Sequence, residues 1–208
     1  MNEAKWLHWV REIRGLAQNG IGYAVNGFEL ERWRRVEELC SLITAEYSDL
    51  DFETLQALSK AELGYATPKV DVRGLCLQDG KILLVREKID GGWTLPGGWA
   101  DLNEPPSSAT EREIREESGY ESKAVRLLAL YDRTDARHQH PPHLYYIFKA
   151  YFLCELTGGE ASETLETSDV GFFTLQDLPP LSTGRTSEAD LHRLYALAMD
   201  PAAPADFD

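Results

Sequence analysis

Three glutamates, Glu113, Glu116 and Glu117, lie within the stretch GWADLNEPPSSATEREIREESGY that runs from Gly98 to Tyr120. Their spacing, i, i+3 and i+4, places all three carboxylates on one face if the segment is helical. Like charges so spaced destabilise a helix by about 0.2–0.5 kcal/mol per pair. A divalent cation turns that repulsion into attraction, because magnesium takes the oxygen ligands that carboxylates supply. Taken alone, the cluster is equally well read as a solvated helix face, since Glu111–Arg115 and Arg112–Glu116 are opposite-charge i, i+4 pairs. The flanks favour chemistry. Gly97-Gly98 lets the backbone approach closely and adopt unusual dihedrals, so a carbonyl freed at Gly97 can complete an ion's shell. Glu104, just ahead of the helix, can hold Arg112 in place.

Other side chains are candidates for substrate contact. Arg86 ends a strand beside a glycine-rich loop and can reach a phosphate with two N–H donors, or make a surface ion pair instead. Tyr131 and Arg133 can stack on a base or grip a second phosphate. His138, His140 and His143 lie in HQHPPH. Clustered histidines can bind zinc, but a proline-broken loop offers no regular ligand geometry, so the segment reads as a substrate-side or merely polar loop.

The elements that must position these residues follow from periodicity. Trp6, Val10, Ile13 and Ala17 recur at helical spacing, as do Leu30, Trp33, Val36, Cys40, Ile43 and Tyr47, and then Phe52, Leu55 and Leu58. Turn signals at Asn19-Gly20, Asn26-Gly27 and Ser48-Asp49 divide them. Three helices are expected near 2–18, 28–47 and 51–63, with Gly64 closing the third. Ala66-Thr67-Pro68 reads as a linker. Beyond it, strands are expected at Val70–Leu77 and Lys81–Val85, joined by a hairpin turn at Asp79-Gly80. The loop Gly91–Gly98 follows, then a helix over Pro106–Ser118 with proline in its first turn and Gly119 past its end. Further strands are expected at Ala124–Tyr131, Leu144–Leu156 and Val170–Thr174, and a last helix at Glu188–Met199. The reading is a small all-helical domain over 1–66 and an α/β domain over 67–208.

Composition narrows the function classes. With 43% hydrophobic and 27% charged residues in 208, a packed core is expected. A net charge of −14 lacks the basic footprint of a nucleic-acid binder and argues against anionic membrane surfaces. A phosphate compound can still bind where a metal ion inverts the local field. The three cysteines, Cys40, Cys76 and Cys154, form no CxxC pair, so neither disulfides nor a zinc site is expected, and a reducing cytoplasm fits best. Met1–Val10 is amphipathic and does not read as a signal peptide. No apolar run approaches the roughly 18 residues of a membrane span.

The segment Gly98–Tyr120 resembles the Nudix box, Gx5Ex7REUxEExGU, at every defined position: Gly98, Glu104, Arg112, Glu113, Ile114, Glu116, Glu117, Gly119 and Tyr120. The resemblance implies an α/β/α sandwich with a mixed sheet, and hydrolysis of a nucleoside diphosphate linked to a moiety X. It implies that Glu113, Glu116 and Glu117, with the Gly97 carbonyl, hold Mg2+ or Mn2+, and that Glu104 and Arg112 orient them. The base that takes the water's proton is, in such enzymes, a box glutamate or one on a later loop; Glu166 is the candidate there, with Glu163 the alternative. GYATPKVDVRG, GGWTLPGGWAD and VGFFTLQDLPPLS are further similar to a bacterial group that carries an N-terminal helical domain and includes CDP-choline and ADP-ribose pyrophosphatases. Triphosphate cleavage in nucleotide-pool cleaning is the rival reading. A non-catalytic ligand sensor is disfavoured because the box is intact. Trp6, Trp9 and Trp33 in the helical segment point to a homodimer, since they widen its apolar stripe beyond what short partners cover.

Overall fold

The structure, a computed structural model, describes residues 4–62 and 64–208. The ends of the expected first and third helices that fall on residues 2, 3 and 63 lie outside the described residues. The chain divides into two compact units. One holds residues 69–141 and 147–208; the other holds the chain up to Pro68 together with residues 142–146.

The helical unit contains α1 (Lys5–Tyr23), α2 (Gly27–Tyr47) and α3 (Phe52–Ala61). Asn19-Gly20, expected to be a turn, is instead part of α1. The reason is packing. Gly20 faces Trp33 of α2, where a Cβ would fall 2.3 Å from the indole Cδ2, so the glycine allows two helices to approach. The chain turns later, at Ala24–Asn26, and the Asn26 side chain accepts from Glu29 N to cap α2. Asp51 caps α3 in the same way through Thr54 N. In the 142–146 segment, the His143 carbonyl accepts from Arg11 of α1 at 3.0 Å. The loop read as belonging to the α/β domain is thus shared between the two units.

The second unit is built on β1 (Lys69–Gln78), β2 (Lys81–Glu87), β3 (Trp93–Thr94), β4 (Gly97–Trp99), β5 (Tyr120–Asp132), β6 (Ile147–Gly159), β7 (Thr167–Phe173) and β8 (Asp206–Phe207), with helices α4 (Pro106–Ser118) and α5 (Glu188–Met199). The strand order β3-β2-β1-β6-β5-β8 is mixed: β1 and β6 are parallel, β5 and β6 antiparallel, with β4 added to β1 and β7 to β2. Asp79 and Gly80 both take positive φ, as the two-residue turn between β1 and β2 requires. Side chains alternate between two cores. Leu75, Ile82, Leu84 and Tyr151 pack with Leu191 and Leu194 of α5, whereas Cys76, Leu83 and Cys154 pack with Ile114 of α4. The result is a sheet between two helical layers. β5 starts four residues earlier than its apolar alternation suggests and β8 was not anticipated; both gain their order from pairing with strands distant in sequence. All three cysteines are free and buried. Among the described residues, no helix is long and apolar enough to cross a membrane.

Candidate active site

The site begins where β4 lies against β1. Arg73 pairs with Gly97 and Val72 with Gly98. Gly97 has φ +145, and a Cβ on it would fall 2.0 Å from the Val72 carbonyl oxygen, so only glycine fits without moving a strand. The preceding loop is held at several points. Gly74 N donates to Pro96 O at 2.9 Å. Thr186 Oγ accepts from Leu95 N at 3.1 Å. Arg73 donates to Leu95 O at 2.9 Å.

α4 presents the glutamates to this loop. Pro106 stands in its first turn and Gly119 ends it in the left-handed conformation. Ala109, Thr110, Ile114, Glu117 and Ser118 are buried, which fixes the rotation of the helix and hence which residues face the loop. Glu117 is buried, and its Oε2 accepts from Gly97 N at 2.7 Å. The Glu113 carboxylate lies flush against Gly98, 3.1 Å from where a Cβ would stand. Glu116 is half exposed at the rim. Arg112 bridges Glu113 (2.9 Å) and Glu116 (3.0 Å) through one terminal nitrogen, while its Nε contacts both oxygens of Glu104 at 3.1 and 3.2 Å. The glutamate–arginine pairing expected from sequence is thus present at Glu104–Arg112.

Burial makes Glu117 and Glu113 reluctant to carry charge. It pushes Glu117 up to about 8 against the opposing Arg73 charge and the Gly97 N–H, and Glu113 and Glu87 push the same way. Glu113 is also raised by burial, with Arg112 the largest opposing influence. Among the described residues, no three acidic, histidine or cysteine side chains converge as a ready-made ion site. The physical reason lies in the contacts above: Arg112 occupies Glu113 and Glu116, and the Gly97 amide occupies Glu117. The donor set nevertheless fits a divalent cation. It consists of hard oxygen ligands, with Glu117 buried and Glu113 largely so, and the Arg112 guanidinium already satisfies Glu113 and Glu116 with positive charge.

The remaining candidates separate. Glu166 lies on the exposed loop before β7, its carbonyl accepting from Lys88 N at 3.0 Å. Its charge reaches Glu87. Glu163 pairs with Lys88 at 3.1 Å and is largely exposed. Arg86 is exposed and its Nε donates to Gly91 O at 3.0 Å. Tyr131 and Arg133 are not on an open surface. Tyr131 is 1% exposed, stacks on His138 with ring centroids 4.1 Å apart, and donates to Asp206. Arg133 is buried and donates to Pro141 O and Gly184 O. In the histidine loop two side chains lie inside the fold rather than on a polar surface. His138 and His140 are buried and converge on Asp190 of α5, His138 Nδ1 at 2.7 Å and His140 Nε2 at 3.0 Å, the latter off the line of a hydrogen bond. His143 instead accepts from Tyr145 N within the 142–146 segment.

Sequence reasoning missed a buried ionic group beneath the loop. Asp71 accepts two hydrogen bonds from Arg73, at 3.0 and 2.9 Å, and one from Lys149 at 2.7 Å, and all three side chains are buried. The available signal was Asp71 and Arg73 at i, i+2 in an otherwise apolar strand, which puts two opposite charges on one inward face. It also missed Arg185, which pairs with the buried Glu87 at 3.0 Å and reaches Asp90 at 3.5 Å.

Comparison with known proteins gives a NUDIX domain over residues 67–195 and a UDP-X-like, N-terminal oligomerisation domain over residues 4–59. The Bacillus subtilis (strain 168) protein YjhB, named provisionally as an ADP-ribose pyrophosphatase, is 37% identical over 206 residues, covering 99% of this chain and 98% of its own. A crystal structure of a UDP-X diphosphatase superposes with a TM-score of 0.62 at 28% identity, covering 100% of this chain and 99% of that one. An ADP-ribose pyrophosphatase from Streptococcus suis 89-1591 superposes with a TM-score of 0.61 at 37% identity over 68% of this chain and 100% of that chain.

Proposed function

We propose that this chain, which belongs to the Nudix family and is a pyrophosphatase of that family, cleaves the diphosphate of a nucleoside diphosphate linked to a second group X. The observation that carries the reading is the seating of the buried Glu117 on the Gly97 amide and of Glu113 against Gly98, which brings the box carboxylates to one loop. Relatives matched over essentially the whole chain carry the names ADP-ribose pyrophosphatase and UDP-X diphosphatase, so ADP-ribose and UDP-linked compounds are the leading substrates, with CDP-choline a third.

Glu113, Glu116 and Glu117, with the Gly97 carbonyl, would hold Mg2+ or Mn2+. Such an ion supplies neutralisation of the diphosphate charge and a more acidic bound water. Arg112, anchored on Glu104, sets the spacing between Glu113 and Glu116. Water attacks one phosphorus, the bridging P–O bond breaks, and the water's proton passes to a carboxylate, for which Glu166 is the candidate. The products are a nucleoside monophosphate and phosphorylated X. The helical unit serves dimerisation: Trp9, Tyr23, Val25, Phe28 and Tyr47 all expose large apolar surface, and the matched N-terminal domain is described as one for oligomerisation.

The test is kcat/KM with added magnesium or manganese across ADP-ribose, UDP-sugars, CDP-choline and nucleoside triphosphates. The X-linked diphosphates are expected to lead. A triphosphate ahead by tenfold, about 1.4 kcal/mol in the transition state, replaces this reading with pool cleaning.

A further inference from the structure

We infer that Arg73 is a positioning residue of the hydrolytic site, acting on Gly97 and Glu117 from beneath the loop; the inference rests on the reading of Glu113, Glu116 and Glu117 as ion ligands. Asp71, Arg73 and Lys149 are buried together, and one negative against two positive side chains leaves a surplus of one positive charge. A surplus charge in a core is costly unless it is answered nearby. Asp71 takes both prongs of the Arg73 fork, which leaves Arg73 one fixed orientation. From there its remaining terminal nitrogen holds the Leu95 carbonyl at 2.9 Å. Its backbone pairs with Gly97, and its Cα and Cδ lie 2.8 and 2.9 Å from the point where a Gly97 Cβ would stand.

One guanidinium, immobilised by Asp71, fixes the Leu95–Gly97 backbone, and through the Gly97 amide it holds the Glu117 carboxylate in place. Lys149 has a distinct part. It shares Asp71, so the carboxylate remains paired when Arg73 is changed, and Arg73→Met leaves Asp71 and Lys149 as a balanced pair.

The experiment is Mn2+ binding to the full-length protein without nucleotide, read by electron paramagnetic resonance of the free ion, for wild type, Arg73→Met, Arg73→Lys and Leu191→Ala. Leu191 of α5 is buried in the core on the face of the sheet away from α4, and reports what loss of packing alone does. Changes in side chains that orient metal ligands weaken binding by roughly 10–100-fold. Arg73→Met is expected to weaken Mn2+ binding by about tenfold or more. Arg73→Lys, which keeps the charge but loses the fork, should fall between it and wild type. Leu191→Ala should bind as wild type while unfolding at lower temperature. Arg73 variants that bind Mn2+ like wild type overturn the inference, as does an equal loss in Leu191→Ala. Wild type that binds no Mn2+ overturns the ligand assignment itself, and the inference with it.

Discussion

The Gly97 amide donates to the Glu117 carboxylate across 2.7 Å, tying the loop before the box helix to that helix's last turn. Both partners depend on glycine at position 97. An alanine there would set its Cβ 2.0 Å from Val72 O at a φ of +145. Gly97→Ala should therefore separate β4 from β1 and release Glu117. The expected result is a lower unfolding temperature and a kcat reduced by about tenfold or more. Unchanged values of both would show that the strand pair tolerates a side chain and that the close approach is unimportant.

Activity should require added Mg2+ or Mn2+ and vanish with a chelator. Glu116→Gln should lower kcat/KM by about 100-fold or more at fixed metal, because one ligand charge is lost. Glu116 is half exposed, so the unfolding midpoint should stay within about 2 °C. Full turnover by this variant would remove Glu116 from the ligand set.

Glu166 and Glu163 can be told apart by kinetics. Glu166→Gln should lower kcat by about 100-fold or more with little change in KM, as expected for loss of a general base. Glu163 pairs with Lys88 at an exposed site, so Glu163→Gln should leave kcat within about twofold, the size of effect a surface ion pair carries. The reverse pattern would hand the role to Glu163.

Stability should depend on pH through Asp190 and His138. Burial alone would raise the Asp190 carboxyl, but the hydrogen bond from His138 and the imidazoles of His138 and His140 beside it outweigh this and hold it well below the ordinary range. Burial would lower His138, but Asp190 and Asp208 raise it instead. The Asp190 contribution is present above an ordinary carboxyl pKa of about 4 and is lost as pH falls through its depressed folded value. The His138 contribution is present below about 6.5 and is lost as pH rises through its raised folded value. The difference in unfolding midpoint between wild type and Asp190→Asn should thus be largest between about pH 4 and 6.5 and shrink on either side. A difference that is flat from pH 3 to 9 would count against a charged pair.

The full chain should be dimeric at micromolar concentration in light scattering. Trp9 is 56% exposed in a single chain, so Trp9→Glu is expected to leave the fold intact and shift the protein toward monomer, because a charge buried at an interface is strongly unfavourable. A wild-type chain that stays monomeric at tens of micromolar would end the homodimer reading.

Much of this protein could be read in one dimension because its decisive features are local. The i, i+3, i+4 spacing of Glu113, Glu116 and Glu117, the proline at the start of α4 and Gly119 at its end all act within a few residues, where helix geometry alone dictates which side chains share a face. The turn at Asp79-Gly80 was legible for the same reason. What escaped depends on contacts between distant residues. Gly20 looks like a turn residue until Trp33 packs on it. Tyr131, Arg133, His138 and His140 are buried by contacts with Asp190, Asp206 and Gly184, which arrive from the C-terminal third. Lys149 joins Asp71 only because β6 lies parallel to β1. Spacing along the chain determined which groups could do the chemistry; the mixed sheet decided which buried charges stand behind them, because a charge is kept in a core only where the fold brings its partners to it.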